Sequence, residues 1–310
     1  MTVGFFVSRA TTPENAGSVA FFDAYASVRH FYADVSAWTG LTVEQILTGQ
    51  LPDEHGARNA MLAVRSIAGQ LAVQDVLATA GIRPSLVVAL SLGISSATVT
   101  IGSLGREDLF RMLWHRRTMP GAGPEPEGVA FCHLDPESDP ADYQAPVRAG
   151  VHIGVDFGPS PAGAGRNVML SGYRAALERL AAEDPVHVTM IGRGSTALHS
   201  PLRQASSDFL RAYVAKLPFR DPRIPLAACL DDRVLTTAGE VRDAVWRNQV
   251  RTADISLGLR QAVRHGVGLI ILPGPSMAEG LIRFPVPVLP VTRPADVQRA
   301  VAAAQGLTAA

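Results

Sequence analysis

The chain has 310 residues, 47% hydrophobic and 18% charged, so it is long enough to bury a large core. Its 28 Lys and Arg residues equal its 28 Asp and Glu residues, which argues against a nucleic-acid-binding protein. Cys132 and Cys229 lie in apolar runs, a pattern typical of reduced core cysteines and not of a disulfide framework or a metal site. No apolar run approaches the ~20 residues of a membrane span, and no signal peptide is visible, so we expect a soluble cytoplasmic protein without a membrane partner.

Hydrophobic patterning in the first part of the chain predicts a strand, several helices and a second buried strand. The strand is expected at 3–7, the helices at 14–35, 41–47 and 59–80, the second strand from 86, and two more helices at 94–102 and 106–117. A Gly- and Pro-rich stretch at 119–128 marks a boundary.

The pattern changes after this boundary and then changes back. Strands at 129–134, 151–157, 167–171 and 186–191 enclose a helix at 173–182, which predicts a small α+β insert between about Gly121 and Ala197. From His199 onward, strands at 225–230, 267–272 and 286–291 alternate with helices at 201–217, 240–248, 254–265 and 277–284. This alternation predicts a mainly parallel sheet that is covered by helices on both faces.

Ser91 ends the second buried strand and precedes a helix of small residues. This layout is typical of a nucleophile elbow, where a strand turns sharply into a helix and presents one hydroxyl. Gly93 allows the helix to approach the strand, although the general elbow pattern has a second glycine where this chain has Ala89. The alternative interpretation is a serine that caps a buried helix.

His199 lies at the far end of the predicted insert, in the stretch Ala197-Leu198-His199-Ser200-Pro201. Acyl transfer through a serine ester requires a base within hydrogen-bond reach of the hydroxyl, and a histidine at a junction between subdomains is well placed for that role. Lone histidines are more often structural, and the chain has eight.

The order of these motifs resembles that of malonyl-CoA:acyl-carrier-protein transacylases and of the acyltransferase domains of polyketide synthases. The Ser-Leu-Gly elbow, an Arg-bearing helix over 102–116, a strand at 167–172 and the His-Ser-Pro-Leu sequence at 199–202 follow the family's order over nearly the whole chain. The family's fold is a large α/β-hydrolase-like domain with a mainly parallel sheet and a small inserted ferredoxin-like α+β subdomain. The resemblance therefore implies a large domain at 1–122 and 198–310, with the small one at 123–197.

The resemblance also implies the roles of individual residues. Ser91 would be the nucleophile, His199 the general base and acid, and the Leu92 amide an oxyanion donor. The family orients its histidine through a backbone carbonyl that aligns at about Asp254, whose carboxylate could share that role. The implied substrates are acyl thioesters of coenzyme A or of the phosphopantetheine arm of an acyl carrier protein, with no bound cofactor and no metal.

The chain departs from the family's pattern at three places around this site. The Gly-Gln-Gly loop that supplies a second oxyanion amide is replaced by Ser8-Arg9-Ala10, so that amide would come from Arg9 or Ala10. Leu90 stands where the family has a histidine, and Thr196-Ala197-Leu198 matches neither of the family's usual specificity motifs. Apolar walls formed by Leu90 and Leu198 would favour a larger acyl chain over a malonyl group.

Arg116 aligns with the family's arginine that binds the free carboxylate of malonate. Arg117 lies beside it, and spacing alone does not say which of the two faces the pocket. An arginine in the pocket would favour a dicarboxylic acyl group, and an arginine turned outward would favour a neutral or amino-bearing one.

We therefore expect a discrete acyltransferase of polyketide or antibiotic biosynthesis that transfers an unusual acyl group, aminoacyl or larger, onto an acyl carrier protein. The alternatives are a malonyl-CoA transacylase, an acyl-carrier thioester hydrolase, and a catalytically silent homologue that only docks carrier proteins. A further alternative is an α/β-hydrolase esterase in which Asp156 is the acid of the triad and a later histidine, such as His265, or His187, is the base.

Overall fold

The computed structural model describes residues 2–9, 16–121, 123–192, 196–276 and 280–309. Its strands and helices are, in chain order, β1 (Thr2–Val7), α1 (Ala16–Ala24), α2 (Ala26–Thr39), α3 (Val43–Leu47), α4 (His55–Thr79), β2 (Leu86–Ala89), α5 (Gly93–Thr100), α6 (Arg106–His115), β3 (Glu127–Leu134), β4 (Val151–Pro159), β5 (Arg166–Tyr173), α7 (Arg174–Glu183), β6 (Val188–Ile191), α8 (Gln204–Val214), β7 (Leu226–Ala227), α9 (Ala238–Arg247), β8 (Ala253–Asp254), α10 (Ile255–Arg264), β9 (Val267–Pro273), β10 (Val288–Val291) and α11 (Asp296–Ala309). Within those ranges, no helix combines the length and apolar character that crossing a membrane requires.

The first sheet has five strands in the order β10-β9-β1-β2-β7. Its neighbouring strands are parallel, as the βα alternation predicts. Strands β1 and β2 are buried over most of their length and read as continuous apolar runs, which is typical of parallel strands covered by helices. Helices α4, α5, α10 and α11 pack against this sheet.

The second sheet has the order β6-β3-β5-β4-β8. Its first four strands are antiparallel neighbours, and α7 packs on β3, β5 and β6. This is the ferredoxin-like strand order. The fifth strand, β8, comes from far outside the segment 127–191 and pairs in parallel with β4, so the second sheet is completed by a later part of the chain.

Several elements differ from the sequence-based expectations. The helix expected at 14–35 is two helices, α1 and α2, interrupted at Tyr25, and the strand expected at 225–230 is reduced to the two residues of β7. Of the helix expected at 277–284, residues 277–279 lie outside the described residues, and 280–284 form a turn and an irregular segment. Helix α11 and the short strand β8 were not predicted.

Candidate active site

Ser91 lies at the turn between β2 and α5 and has a φ of 56°, in the left-handed region that non-glycine residues rarely adopt. Close packing enforces this turn. The Leu90 amide donates to the Val7 carbonyl at 2.9 Å, and a Cβ added at Gly93 would lie 2.0 Å from the same oxygen. The elbow expected from the sequence is present, and its glycine is required by the end of β1.

His199 reaches the elbow from the segment that follows the second sheet. Its φ is 55°, also left-handed, and its side chain is almost fully buried. The hydroxyl of Ser200 donates to the Ala197 carbonyl at 2.7 Å, which closes the turn around the histidine. The Nε2 atom of His199 lies 2.8 Å from the Oγ of Ser91, the hydrogen-bond distance expected from the sequence.

Burial sets the protonation state of His199. It lowers the pKa of the imidazole to about 4, while the backbone carbonyls of Asn248 and Arg251 partly oppose the shift. The ring is therefore neutral at pH 7. A neutral imidazole whose Nε2 faces a hydroxyl can accept a proton from it.

The prediction that Asp254 orients the histidine is wrong. Its carboxylate caps α10, accepting hydrogen bonds from the amide and the hydroxyl of Ser256 at 2.8 and 2.5 Å. The carbonyl groups that face His199 belong to Asn248 and Arg251, several residues earlier in the chain. The Nδ1 atom of His199 makes no well-formed hydrogen bond within the described part of the chain, so these carbonyls act as electrostatic neighbours.

The Leu92 amide is at the start of α5, and the structure records no acceptor for it among the described residues. A free amide at a helix N-terminus beside the Ser91 hydroxyl suits the oxyanion role expected for Leu92. The Arg9 amide likewise has no recorded acceptor in that part of the chain. Ala10, the other residue considered for the second amide, lies outside the described residues.

The two neighbouring arginines after α6 point in different directions. Arg117 is exposed, donates to the Trp114 carbonyl at 2.9 Å and stacks on the Trp114 ring, so it belongs to the surface. Arg116 is half-buried. Desolvation, followed by the charges of Arg9 and Arg203, lowers the pKa of Arg116 to about 10. Arg9 keeps exposed surface, yet its surroundings desolvate the guanidinium enough to lower its pKa as well.

The other residues predicted to line the pocket differ in their solvent exposure. The side chain of Leu90 has no exposed surface and lies in the main core, so it does not line an open pocket as expected. Leu198 is exposed, and Thr196 is half-buried in the segment leading to His199, where its carbonyl accepts from the Leu198 amide. Apolar lining by a leucine pair is therefore not observed.

Asp156 does not take part in a Ser–Asp–His arrangement. Its carboxylate accepts the Arg166 side chain through both oxygens, at 2.7 and 2.8 Å from Nε, and the Gly158 amide at 2.8 Å. The two histidines considered for that arrangement are engaged elsewhere. His187 is held between Asp184 and Asp135, and His265 contacts the Gln261 carbonyl.

A pocket of about 330 Å³ opens beside His199. Strand β4 contributes His152 and Ile153 to its wall, and the segment 250–252 forms another side. Among the described residues, no group of three His, Cys, Asp or Glu side chains is placed to hold a metal ion.

Two residues that the sequence did not single out stabilise this site. The Asn248 side chain donates to the Ser91 carbonyl at 3.1 Å, which ties the end of α9 to the elbow. Glu127, at the start of β3, accepts the Ala197 amide at 2.8 Å and pairs with Arg203 at 3.5 Å in a nearly dry environment. The only sequence signal for Glu127 is an acid at the start of an apolar strand, which does not name its partner.

No protein-family model matches the chain. The chain is 28% identical over 283 residues to the malonyl CoA-acyl carrier protein transacylase of Salmonella typhimurium, covering 86% of this chain and 88% of that protein. This chain is similar to malonyl-CoA:acyl-carrier-protein transacylases over most of its length. The relationship agrees with the motif order and with the Ser91–His199 contact, and relatives of that name are acyltransferases.

Solved transacylase structures share the fold. The acyl-carrier-protein S-malonyltransferase of Burkholderia pseudomallei superposes with a TM-score of 0.84 at 21% identity, over 97% of this chain and 100% of that one. A malonyl-transacylase solved in complex with a type II polyketide synthase acyl carrier protein gives 0.83 at 20% identity, over 97% and 99% of the two chains. The chain therefore has the fold of these malonyl-transacylase structures along nearly its whole length.

Proposed function

We propose that this protein is an acyltransferase that works through a Ser91 acyl-enzyme. The Ser91 hydroxyl attacks the carbonyl carbon of an acyl thioester while His199 Nε2 takes the hydroxyl proton. The resulting oxyanion is stabilised by the Leu92 amide and collapses with loss of the thiol, which receives the proton from His199. The 2.8 Å contact between Nε2 and Oγ is the observation that carries this proposal.

The second half of the reaction runs the same steps in reverse with a different thiol. His199 takes the proton of a phosphopantetheine thiol, the sulfur attacks the Ser91 ester, and the acyl group leaves on an acyl carrier protein. The names of the relatives support coenzyme A as the thiol of the donor and a carrier protein as the acceptor. The polyketide synthase complex among the structural neighbours supports a role in polyketide or antibiotic biosynthesis.

We further propose that the acyl group carries a negative charge. Arg116 and Arg9 lie close enough to lower the Arg116 pKa, and no acidic partner is recorded for either guanidinium among the described residues. Arg203, the third cation, is paired with Glu127. Unpaired desolvated cations favour a carboxylate ligand over a neutral one.

This proposal revises the expected preference for an unusual acyl group, aminoacyl or larger. That expectation depended on Leu90 and Leu198 lining the pocket, and Leu90 is instead fully buried in the core while Leu198 is exposed. An aminoacyl group would also bring a positive charge toward Arg116 and Arg9. A carboxylate-bearing group, malonyl or longer, meets no such repulsion.

The test is intact-mass analysis after incubation with malonyl-CoA, a longer dicarboxylyl-CoA, acetyl-CoA and an aminoacyl carrier thioester. Wild type should gain one dicarboxylic acyl mass on the peptide that contains Ser91, and Ser91→Ala should gain none. Arg116→Ala should lose the preference for the two anionic donors over acetyl-CoA, whereas the exposed Arg117→Ala should retain it. Equal labelling of Ser91→Ala would refute the mechanism, and preferential labelling by the aminoacyl thioester would refute the anionic substrate.

The same incubation separates transfer from hydrolysis. On addition of a carrier protein that bears its phosphopantetheine arm, the label should move from Ser91 to the carrier thiol. Rapid appearance of the free acid, with no labelled carrier, would instead identify a thioester hydrolase.

A further inference from the structure

The segment after β1 is held by side chains where the related family has a glycine loop. Ser8 is buried, its Oγ lies 2.7 Å from the Oγ of Ser276, and the same Oγ contacts the Arg9 carbonyl at 3.3 Å. The Ser8 carbonyl accepts a hydrogen bond from the side-chain amide of Gln70. Side-chain contacts thus hold Ser8 and Arg9 without a glycine, and the Gln70 contact is the one that holds the Ser8–Arg9 peptide itself among the described residues.

Gln70 is an unusual residue for its position. It lies on the buried face of α4, is 3% exposed, and has apolar residues such as Ile67 and Leu71 beside it on the helix. Burial of a side-chain amide is destabilising unless hydrogen bonds compensate. Its Nε2 atom has the Ser8 carbonyl as a partner, whereas Oε1 has none among the described residues. The contact with Ser8 is thus the one hydrogen bond recorded for this amide.

The geometry of a trans peptide gives this contact a consequence at the next residue. The Ser8 carbonyl and the Arg9 N–H belong to one planar unit and point in opposite directions. Because Gln70 holds the carbonyl toward α4, the Arg9 N–H points away from α4. The end of β1 also lies directly against the elbow, since the Val7 carbonyl touches the position where Gly93 would carry a Cβ.

We propose that Gln70 is a positioning residue that aims the Arg9 amide at the oxyanion formed on Ser91. The Arg9 amide then acts with the Leu92 amide as the second oxyanion donor, in place of the missing glycine loop. This inference rests on Ser91 acting as a nucleophile, as in the proposed function, but not on the identity of the acyl group.

A small alkyl fluorophosphonate tests the inference independently of the acyl substrate. The Ser91 oxygen attacks phosphorus, a P–O bond forms, the P–F bond breaks, and fluoride leaves while His199 takes the hydroxyl proton. The negative charge on the phosphoryl oxygen needs the same donors as a thioester oxyanion. The measured quantity is the second-order rate constant for appearance of the phosphonylated protein by mass spectrometry.

The matched variants are Gln70→Met and Gln74→Met, which remove buried amides one helical turn apart while keeping side-chain length. Gln74 is also buried, and its Oε1 accepts the Thr100 hydroxyl at 2.6 Å, away from the Ser8 carbonyl. Loss of a direct oxyanion donor slows reaction by roughly 10²–10³-fold. We expect Gln70→Met to react about 10- to 100-fold more slowly than wild type, and Gln74→Met within about twofold, at similar losses of melting temperature.

Gln70→Glu supplies a readout that a purely structural role would not move. A protonated carboxyl can donate to the Ser8 carbonyl, whereas a carboxylate repels it. The ratio of this variant's rate to the wild-type rate should therefore fall as the pH rises. The same ratio for Gln70→Met should not change with pH.

Two outcomes would overturn the inference: equal rates for Gln70→Met and Gln74→Met, or no phosphonylation of wild-type Ser91. If no thioester acylates Ser91 but phosphonylation depends on Gln70, the proposed function is wrong and the inference is supported.

Discussion

Ser91 and His199 share a backbone conformation that costs of order 1–3 kcal/mol at each residue, with φ values of 56° and 55°. Such a conformation persists only where the surroundings enforce it. Here the Asn248 side chain holds the Ser91 carbonyl, and Ser200 closes the turn at His199. These two strained residues meet at 2.8 Å, whereas Cys229, which has a φ of 52°, is not part of that contact.

The lowered pKa of His199 predicts the pH dependence of Ser91 acylation. Because the imidazole stays neutral down to about pH 4, the acylation rate should hold from pH 7 to about pH 5 and decline below that. A normal histidine would produce the decline near pH 6.5. Stopped-flow acylation at a series of pH values measures this midpoint, and a midpoint near 6.5 would contradict a buried base.

Acid unfolding has to be separated from loss of the base in this experiment. Between pH 6.5 and about 4, the unfolded chain binds a proton at His199 and the folded chain does not. The free energy of unfolding therefore decreases as the pH is lowered through this window, by up to about 3 kcal/mol. Circular dichroism on wild type and His199→Ala, which should show a smaller decrease, identifies that contribution.

At the scale of elements, the elbow depends on how closely α5 approaches the end of β1. Gly93 is the first residue of α5 and has the Val7 carbonyl where a side chain would stand. The approach leaves the Leu92 amide free beside the Ser91 hydroxyl. A displaced α5 would move this amide and the nucleophile together.

Gly93→Ala should therefore damage both stability and acylation. Its methyl group would lie 2.0 Å from a backbone oxygen, and overpacking of this kind costs about 1–3 kcal/mol or more. The control is Gly239→Ala in α9, where an added Cβ meets only the end of Arg242 at 4.0 Å. Urea unfolding should show a clear loss for Gly93→Ala and little change for the control; equal effects would contradict the close-approach argument.

At the scale of the whole molecule, the two sheets meet around the site. Two contacts join the later part of the chain to β4. Strand β8 pairs with β4, and the Thr252 hydroxyl donates to the Ile153 carbonyl at 2.8 Å. Glu127 ties the start of β3 to Ala197, two residues before His199. The position of the histidine therefore depends on the second sheet as well as on the first.

Glu127→Ala should destabilise the protein because it leaves Arg203 buried without its partner. Loss of one member of a buried pair typically costs about 3–5 kcal/mol. Glu127→Gln should cost less, since its amide oxygen can still accept the Ala197 amide. Glu107→Ala, which removes the exposed pair with Arg111, should cost under about 1 kcal/mol in the same urea titration. A similar cost for Glu127→Ala and Glu107→Ala would show that the buried pair contributes little.

The sequence allowed the elbow, its partner histidine and the two-sheet fold to be predicted because each has a side-chain signature. Ser91 follows an apolar strand, and His199 lies in a motif of fixed composition. The groups that face His199 are backbone carbonyls, which every residue has, so Asp254 was chosen by alignment alone and was wrong. The prediction that Leu90 lines the pocket was wrong for a related reason. At a sharp turn, the sequence does not show in which direction the side chain before the serine points.

The sequence also did not show which of two adjacent arginines faces the site, nor did it indicate two of the secondary-structure elements. Arg116 and Arg117 are adjacent, and only the end of α6 decides that Arg117 stacks on Trp114 at the surface. Strand β8 has two residues, too few to show any period, and α11 is an Ala-rich segment without a distinct apolar stripe.

The strand order also constrains when a growing chain can complete its reactive centre. Strand β1 has β2 on one side and β9 on the other, and β2 needs β7, so the first sheet cannot close until residues beyond 267 have been made. The antiparallel strands β3 to β6, in contrast, are near neighbours in sequence, and their local contacts form quickly. We therefore expect the inserted sheet to fold first on the ribosome, while the elbow acquires its left-handed serine only near the end of synthesis. Truncated chains that lack β9 would then contain a folded insert and an inert Ser91.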